Sequence, residues 1–200
     1  MKKIFFSVAV LSIAIMLLNS CKKSSVNLNP ATSTYYMRFK LNGVKTEFNS
    51  VPIAQSAYNS NDKVYTTGIL ALKDSSKILQ DQIDIAITDK NPLTPGAVYQ
   101  DPVKTVAATG TIPQVVFTYY RSSQDSYISM GLFCDDAGNF SSFLPDYKDL
   151  VADAKVTITA IGPDNLQGTF SVTVFKLNTS TNIYDKIPLT EGQFNLRYPH

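Results

Sequence analysis

Several residue types are scarce in this 200-residue chain, which has one histidine, two cysteines and no tryptophan. The only histidine, His200, is the last residue, so a Ser-His-Asp or Cys-His arrangement would have to be built on a chain end, where order is poorest. One histidine and two cysteines also argue against a zinc site of nitrogen and sulfur ligands. The sequence therefore favours a protein without a cofactor and without catalytic activity.

Clusters of like charge are missing too. No run of lysine or arginine is longer than the pair Lys22–Lys23. Once Lys2 and Lys3 near the amino terminus are set aside, 16 basic and 16 acidic side chains remain. Because proteins that bind nucleic acids need clustered cations against the phosphates, the sequence predicts no nucleic-acid partner.

A long membrane-spanning run is also absent, and a shorter apolar run takes its place. Ile4 to Leu18 is an apolar stretch of 15 residues that follows Lys2 and Lys3, whereas a helix that spans a bilayer needs about 20 residues. This arrangement is typical of the hydrophobic region of a secretory signal. Residues 1–20 are therefore predicted to be a signal peptide.

The predicted signal peptide ends in Leu18-Asn19-Ser20, and the Leu18–Cys21 stretch resembles the lipobox of bacterial lipoproteins. Leu18 and Ser20 match that motif, while Asn19 is a less usual residue at its variable position. The resemblance implies that the Cys21 thiol receives a diacylglycerol and that the chain is cut just before Cys21 and acylated there. Each buried methylene of an acyl chain contributes about 0.8 kcal/mol to membrane anchoring. The alternative is a secreted protein that is cut near Ser20 and carries a free Cys21.

Residues 21–34 are predicted to be the lipidated cysteine and a flexible tether, because residues 22–34 are polar and rich in turn-forming residues. Fully extended, this tether reaches about 45 Å. Lipoproteins that Bacteroidota export to the cell surface usually carry acidic residues just after the cysteine. Here those positions hold Lys22-Lys23-Ser24-Ser25. The expected location is therefore the cell envelope, on the outer membrane and facing the periplasm rather than the surface.

From residue 35 onward, composition and periodicity favour strands. Apolar residues reach 44%, and 11 tyrosines and 11 phenylalanines are present, which suits a globular protein built from strands. Within YYMRFKLNGVKTEF, the dipeptide Asn42-Gly43 predicts a two-residue type I′ turn between alternating strands. The predicted pairs are Leu41–Val44, Phe39–Thr46, Met37–Phe48 and, on the solvent face, Arg38–Glu47.

Further alternating segments extend the β pattern along the chain. Strands are predicted at Val64–Leu72, Gln82–Thr88, Gln114–Tyr120, Tyr127–Cys134, 155–161, 166–177 and 192–198, with one short helix around Leu144–Asp153. Cys134 shares parity with Ile128, Met130 and Leu132, which predicts a small buried hydrophobe. Eight to ten strands at this spacing predict that residues 35–200 form one all-β domain. It would be an antiparallel β-sandwich, immunoglobulin-like or jelly-roll-like, or else a partly open barrel.

The opening FKLNGVKTEF and the closing VTITAIGPDNLQGTFSVTVF and IPLTEGQFNLRY resemble a group of small Bacteroidota lipoproteins. In that group a β-sandwich opens with a strand–Asn-Gly–strand hairpin and closes with V-T-I-T, G-T-F-S and T-x-G-x-F-N strands. The matching pieces cover about a third of the domain. The resemblance implies a fold and a compartment, and it carries over no catalytic residues.

Two clusters are candidate ligand sites. Tyr119, Tyr120 and Tyr127 flank one predicted loop, and exposed rings of this kind can stack on sugars or anchor a protein interface. The alternative is that these tyrosines fill core edges and leave only their hydroxyls in water. Asp135, Asp136 and Asn139 surround a glycine turn and are weak candidates for Ca²⁺, but a hairpin loop that uses the same residues for their turn preferences is the favoured interpretation.

Two functions from different classes remain open on the sequence. The favoured one is a lipid-anchored envelope lipoprotein whose non-catalytic β-sandwich binds a protein or another envelope component. The alternative is a glycan-binding accessory lipoprotein that uses exposed tyrosines. A glycosidase-type hydrolase is the third hypothesis, and it needs two carboxyl groups that face each other across a sugar; the spacing of the acidic residues selects no such pair.

Overall fold

The computed structural model describes residues 34–77, 80–142, 144–145 and 147–199. These residues belong to a unit that begins at Thr34. The predicted signal peptide, the lipobox-like Leu18, Asn19, Ser20 and Cys21, the tether as far as residue 33, and His200 lie outside the described residues.

Strands account for 62% of the described residues and helices for 4%, which confirms the all-β prediction. The described part of the chain contains thirteen strands, more than the eight to ten predicted. They are β1 Tyr36–Leu41, β2 Val44–Phe48, β3 Ser50–Asn59, β4 Val64–Leu72, β5 Gln82–Asp89, β6 Val98–Gln100, β7 Lys104–Ala107, β8 Gly110–Pro113, β9 Val115–Ser122, β10 Asp125–Ser129, β11 Lys155–Ile161, β12 Asn165–Asn178 and β13 Ile183–Arg197. Two short 3₁₀ helices span Met130–Phe133 and Tyr147–Asp149.

Backbone pairing arranges the strands in two layers. The order is β2-β1-β13-β3-β4-β5-β9-β10-β12-β11-β6, and β12 and β13 also pair with each other. That extra pairing divides the strands into a front sheet, β2-β1-β13-β12-β11-β6, and a back sheet, β3-β4-β5-β9-β10. The edge strands of the back sheet, β3 and β10, pair with β13 and β12, the two central strands of the front sheet. β7 and β8 form a separate hairpin. The result is a sandwich-like fold in which both edges of the back sheet are hydrogen-bonded to the front sheet.

The hydrophobic core lies between the two sheets. Phe117 of β9 and Phe170 of β12 belong to different sheets, and their ring centroids are 5.6 Å apart. On the back sheet, Ile83, Ile85 and Ile87 are all buried, as their alternation predicts. Side chains of both sheets belong to one continuous apolar cluster, and its burial is the main favourable contribution to folding.

The opening hairpin forms as predicted. β1 and β2 pair Leu41 with Val44 and Arg38 with Glu47, and the other predicted pairs also hold. Asn42 and Gly43 both have positive φ, 49° and 81°, which a type I′ turn requires. Turn chemistry and strand alternation agree within fourteen residues, so the local sequence is sufficient to fix this register.

The G-T-F-S and T-x-G-x-F-N motifs have a structural explanation in the β12–β13 hairpin. Gly168 lies opposite Phe194, and Phe170 lies opposite Gly192. A Cβ on Gly168 would lie 2.3 Å from the Phe194 ring, and a Cβ on Gly192 would lie 2.6 Å from the Phe170 ring. Each ring therefore occupies the space that a side chain on its partner glycine would fill. The two rings stack with a centroid separation of 6.5 Å and form the centre of the front-sheet core.

The prediction for Tyr127–Cys134 is wrong beyond Ser129, where β10 ends and a 3₁₀ helix begins. The inward side chains of β10 are Tyr127 and Ser129, so the predicted parity is reversed. The Ser129 hydroxyl accepts a hydrogen bond from the Phe117 amide at 3.1 Å. The chain turns at Gly131, where a Cβ would lie 1.9 Å from an oxygen of Asp101. A contact 30 residues away in sequence thus ends the strand, although Cys134 is buried as predicted.

The predicted helix around Leu144–Asp153 is also wrong. Within the described residues of that segment, the only helical turn is the 3₁₀ helix at Tyr147–Asp149. Pro145 disfavours helical backbone in the residue before it. Further along, the Asp153 carboxylate accepts hydrogen bonds from the backbone and hydroxyl of Thr173, both at 2.7 Å. Tertiary contacts to β12 hold this part of the chain extended.

β3 had no counterpart among the predicted strands. It begins irregularly, because Val51 has a φ of 52° and the register with β4 shifts between Ser50 and Ile53. A bulge of this kind adds a residue to one strand and interrupts the two-residue alternation. The periodic signal is therefore lost where β3 starts.

Candidate functional site

Tyr119, Tyr120 and Tyr127 do not form an exposed surface on which a sugar could stack. Tyr119 and Tyr127 are only 2% and 4% exposed, and their ring centroids are 6.3 Å apart inside the core. They lie opposite each other on β9 and β10, and the Tyr119 hydroxyl donates to Asp81 at 3.1 Å. Burial, followed by the Asp81 charge, raises the Tyr119 pKa. Tyr120 is half-buried on the opposite face, so the three rings do not converge.

The loop at Asp135–Asn139 uses its carboxylate internally. Asp135 accepts hydrogen bonds from the backbone amides of Ala137 and Asn139, both at 2.9 Å, and from the Asn139 side-chain amide at 3.0 Å. The Asn139 donors are the main reason that the Asp135 pKa lies below its usual range. This geometry supports the turn interpretation. Within the described chain, no three histidine, cysteine, aspartate or glutamate side chains lie close enough together to hold a metal ion.

The outer face of the front sheet instead carries two adjacent rows of polar side chains. One row follows the strand register through Glu47, Arg38, Gln193, Thr169 and Thr157. The next row contains Lys45, Lys40, Ser171 and Lys155 in neighbouring strands. The first row crosses the five strands from β2 to β11, a distance of about 19 Å at ordinary strand spacing. The second row has members on β2, β1, β12 and β11, on either side of a bulge in β13. We call this surface the polar groove.

A β-bulge lies at the centre of the polar groove. The register of β13 shifts relative to β1 between Arg38 and Lys40, and relative to β12 between Phe170 and Val172. The bulge contains Glu191, whose φ is 52°. Left-handed backbone costs a residue with a side chain about 1–2 kcal/mol, and glycine and asparagine are the residues that usually adopt it. Glu191 adopts it although it is neither.

Two depressions in the polar groove meet at Glu191. One has a volume of about 230 Å³ and lies between β1 and β2, where both glutamates of the chain line it. The other has a volume of about 470 Å³ and lies over β11, β12 and β13. Together they form an open, shallow surface that is lined mainly by charged, hydroxyl and amide side chains.

The charges in the groove conflict with ordinary sheet pairing. Lys40 and Lys45 lie directly opposite each other on β1 and β2, and like charges in that position are destabilising. Glu191 compensates through an ion pair with Lys40 at 2.5 Å, although the Glu191 side chain is 66% exposed. Nearby, Arg38 lies 4.3 Å from the centre of the Tyr36 ring and donates to the Gln193 amide oxygen at 3.3 Å.

Strained backbone and like charges placed opposite each other are both unfavourable for stability. Such unfavourable features concentrate at functional sites. Three of them, the φ of Glu191, the bulge and the lysine pair, occur together in this groove. Sequence alternation predicted Arg38 and Glu47 on one solvent face, but it did not place Glu191 beside them. The missing information was which strands are neighbours, since Lys40 and Glu191 are 151 residues apart.

Two carboxyl groups outside the groove have raised pKa values. Burial raises the pKa of Asp84 on β5 to about 6, against hydrogen bonds from the Gln82 amide. Burial raises the pKa of Asp101 to about 7, against the charge of Lys104 and a bond from the Gly131 amide. One Asp101 oxygen has no hydrogen-bond partner. Neither carboxyl group lies on a strand that forms the groove.

Comparison of the chain with protein-family models, with curated proteins and with solved structures finds no match in any of the three. None of the described helices is long and apolar enough to cross a membrane. Fold and site therefore define the chain as an all-β, sandwich-like protein with a polar groove on one sheet face.

Proposed function

We propose that the protein is a lipid-anchored, non-catalytic binding protein of the cell envelope that holds an extended glycan in the polar groove. The observation that carries the proposal is the continuity of the groove, whose hydrogen-bonding side chains follow one another across five strands. A shallow polar surface of about 19 Å suits a chain of linked polar units better than one compact molecule.

The composition of the groove favours a glycan over a protein partner. Protein interfaces are centred on buried aromatic anchors that fill pockets, whereas charged, hydroxyl and amide side chains make up most of the lining here. Among the exposed large apolar side chains, Val44, Tyr58 and Ile183 do not line the groove. Val98 of β6 lies opposite Thr157, at the end of one row. The former tyrosine candidates are excluded as a sugar platform by their burial.

The carboxyl groups favour binding over hydrolysis. A glycosidase needs a carboxylic acid that stays protonated near neutral pH, and burial is what keeps it so. Glu47 and Glu191 are exposed, so neither has that environment. Asp84 and Asp101 do have raised pKa values, but neither lines the groove.

The anchor in this proposal is the acylated Cys21, with attachment to the outer membrane and residues 22–34 as a tether into the periplasm. The support is the lipobox-like Leu18-Asn19-Ser20-Cys21 after a short apolar run. The fold makes an anchor outside the domain useful, because the groove lies on one sheet face and has to remain accessible to its ligand.

Two variants separate the anchoring half of the proposal from the binding half. Cys21→Ala should leave the membrane fraction at high salt yet still bind envelope polysaccharide. Thr157→Val/Thr169→Val should stay in the membrane fraction but bind about tenfold more weakly, because two groove hydroxyls are lost at about 0.5–1.5 kcal/mol each. Fractionation with lipid labelling and polysaccharide co-sedimentation measure the two properties.

Matched controls make either half of the proposal refutable. Cys134→Ala changes the other cysteine and should remain membrane-bound, and Thr66→Val removes a hydroxyl on the back sheet and should bind normally. Membrane retention of Cys21→Ala would overturn the anchor. Unchanged binding by the double valine variant would overturn the groove as the site.

A further inference from the structure

We propose that the ligand of the polar groove is an anionic glycan, one that carries carboxylate or sulfate groups, and that Glu191 occupies the anion position until the ligand displaces it. This inference rests on the proposed glycan-binding function and adds the chemical class of the ligand. Three features support it: the lysine row formed by Lys45, Lys40 and Lys155, the Glu191 bulge, and the geometry around Arg38.

The lysine row supplies positive charge that the fold does not need. Lys45 lies opposite Lys40, and Lys155 lies opposite Ser171 on the other side of the bulge. Lys45 and Lys155 are exposed and form no ion pair among the described residues. Cations set in a row across a sheet repel one another, and a bound anion relieves that repulsion.

Glu191, in the outward bulge, is the acidic side chain that pairs with this row among the described residues, while Glu47 of the neighbouring row lines the same depression. Its partner Lys40 is 32% exposed on the side chain, and Glu191 itself is 66% exposed. Exposed ion pairs contribute little net stability, so the pair exchanges readily for another anion. The Glu191 carboxylate thus stands where a ligand carboxylate or sulfate would bind Lys40.

The row beside the lysines provides the remaining recognition. Arg38 presents a planar guanidinium, the geometry that matches carboxylate and sulfate oxygens, and the Tyr36 ring and Gln193 amide hold it in place. Thr157 and Thr169 lie opposite each other on β11 and β12. Their hydroxyls both donate and accept hydrogen bonds, as the hydroxyls of a sugar do.

Charge-altered variants test the anion and its displacement. Glu191→Gln should tighten the binding of polygalacturonate or dextran sulfate about threefold at low salt, because the internal competitor is neutralised while its shape is kept. Lys45→Glu should weaken the same binding at least tenfold. Lys90→Glu, in an exposed turn away from the groove, should leave the binding of these polymers unchanged. At about 1 M salt the differences should vanish, since exposed charges are then screened.

The probes distinguish the failure of this inference from the failure of the proposed function. If neutral dextran binds as tightly as the anionic polymers and Glu191→Gln has no effect, the anionic class is wrong while glycan binding stands. If no polysaccharide binds, or binding ignores Thr157→Val/Thr169→Val, the proposed function itself fails. Binding only to phosphatidylglycerol vesicles, with the same variant pattern, would replace the glycan by a lipid surface and overturn the inference. Thermal melting of each variant establishes that it is folded.

Discussion

On its core side, the β12–β13 hairpin places each glycine opposite a phenylalanine, so that two rings stack without strain. On the outward side of the same strands, a glutamate has left-handed backbone and the neighbouring strands place two lysines opposite each other. The inward residues obey the packing rules that maximise stability. The outward residues break rules for backbone and charge around Glu191, where the two depressions of the polar groove meet.

This difference separates positions set by packing from the positions that we propose bind a ligand. A core position is constrained by the atoms that already surround it, so its substitution is costly. Under the proposed function, a groove position is constrained by a ligand that stability measurements do not contain, so its substitution should cost little or even stabilise. Mutations on the two sides of the hairpin therefore test the assignment.

The largest effect is expected at Gly168. A Cβ there would lie 2.3 Å from the Phe194 ring and 2.4 Å from the Thr157 backbone oxygen, and the backbone cannot yield as a flexible side chain can. Gly168→Ala should destabilise the fold by about 3 kcal/mol, measured by urea denaturation. Thr169→Ala, the next residue but outward, should change stability by less than about 1 kcal/mol. Equal losses at both positions would remove the contrast between the faces.

An intermediate effect is expected at Asp101, a polar residue whose side chain is buried. Burial raises its pKa to about 7, so the folded state holds the proton more tightly than the unfolded chain, where the pKa is about 3.9. Its contribution to stability is therefore fully present below about pH 4 and is lost as the pH rises through 7. Between pH 5 and pH 8 the loss is roughly 2–3 kcal/mol.

Asp101→Asn should remove that pH dependence, because an amide does not ionise. The measurement is the free energy of unfolding at both pH values for the wild type and the variant, with Asp185→Asn at an exposed position of β13 as the control. Half-buried Asp84, with a pKa raised to about 6, contributes in the same direction and is unchanged in all three proteins. If Asp101→Asn loses as much stability as the wild type, the Asp101 carboxyl is not held protonated.

How far sequence reasoning reached depended on the distance between the interacting residues. The β1–β2 hairpin was predicted pair by pair because its turn and both strands lie within fourteen residues. β10 was predicted too long because Gly131 meets Asp101, 30 residues away. The groove was missed as a site for the same reason, since its ion pair joins residues 151 apart. The three tyrosines were placed in the right strands, but the alternation alone did not show which face of each strand is buried.

The smallest effect, and the most direct test of the outward face, is expected at Glu191. Glu191→Gly relieves the left-handed backbone at no steric cost and loses an exposed ion pair worth about 0.2–1 kcal/mol, so the two changes nearly cancel. Glu191→Gln keeps the strain and loses the same pair, and it should be less stable than the glycine variant by about 1 kcal/mol. Calorimetric melting compares the two. If the glycine variant proves the less stable, the Glu191 side chain stabilises the bulge, and the outward face follows the same rule as the core.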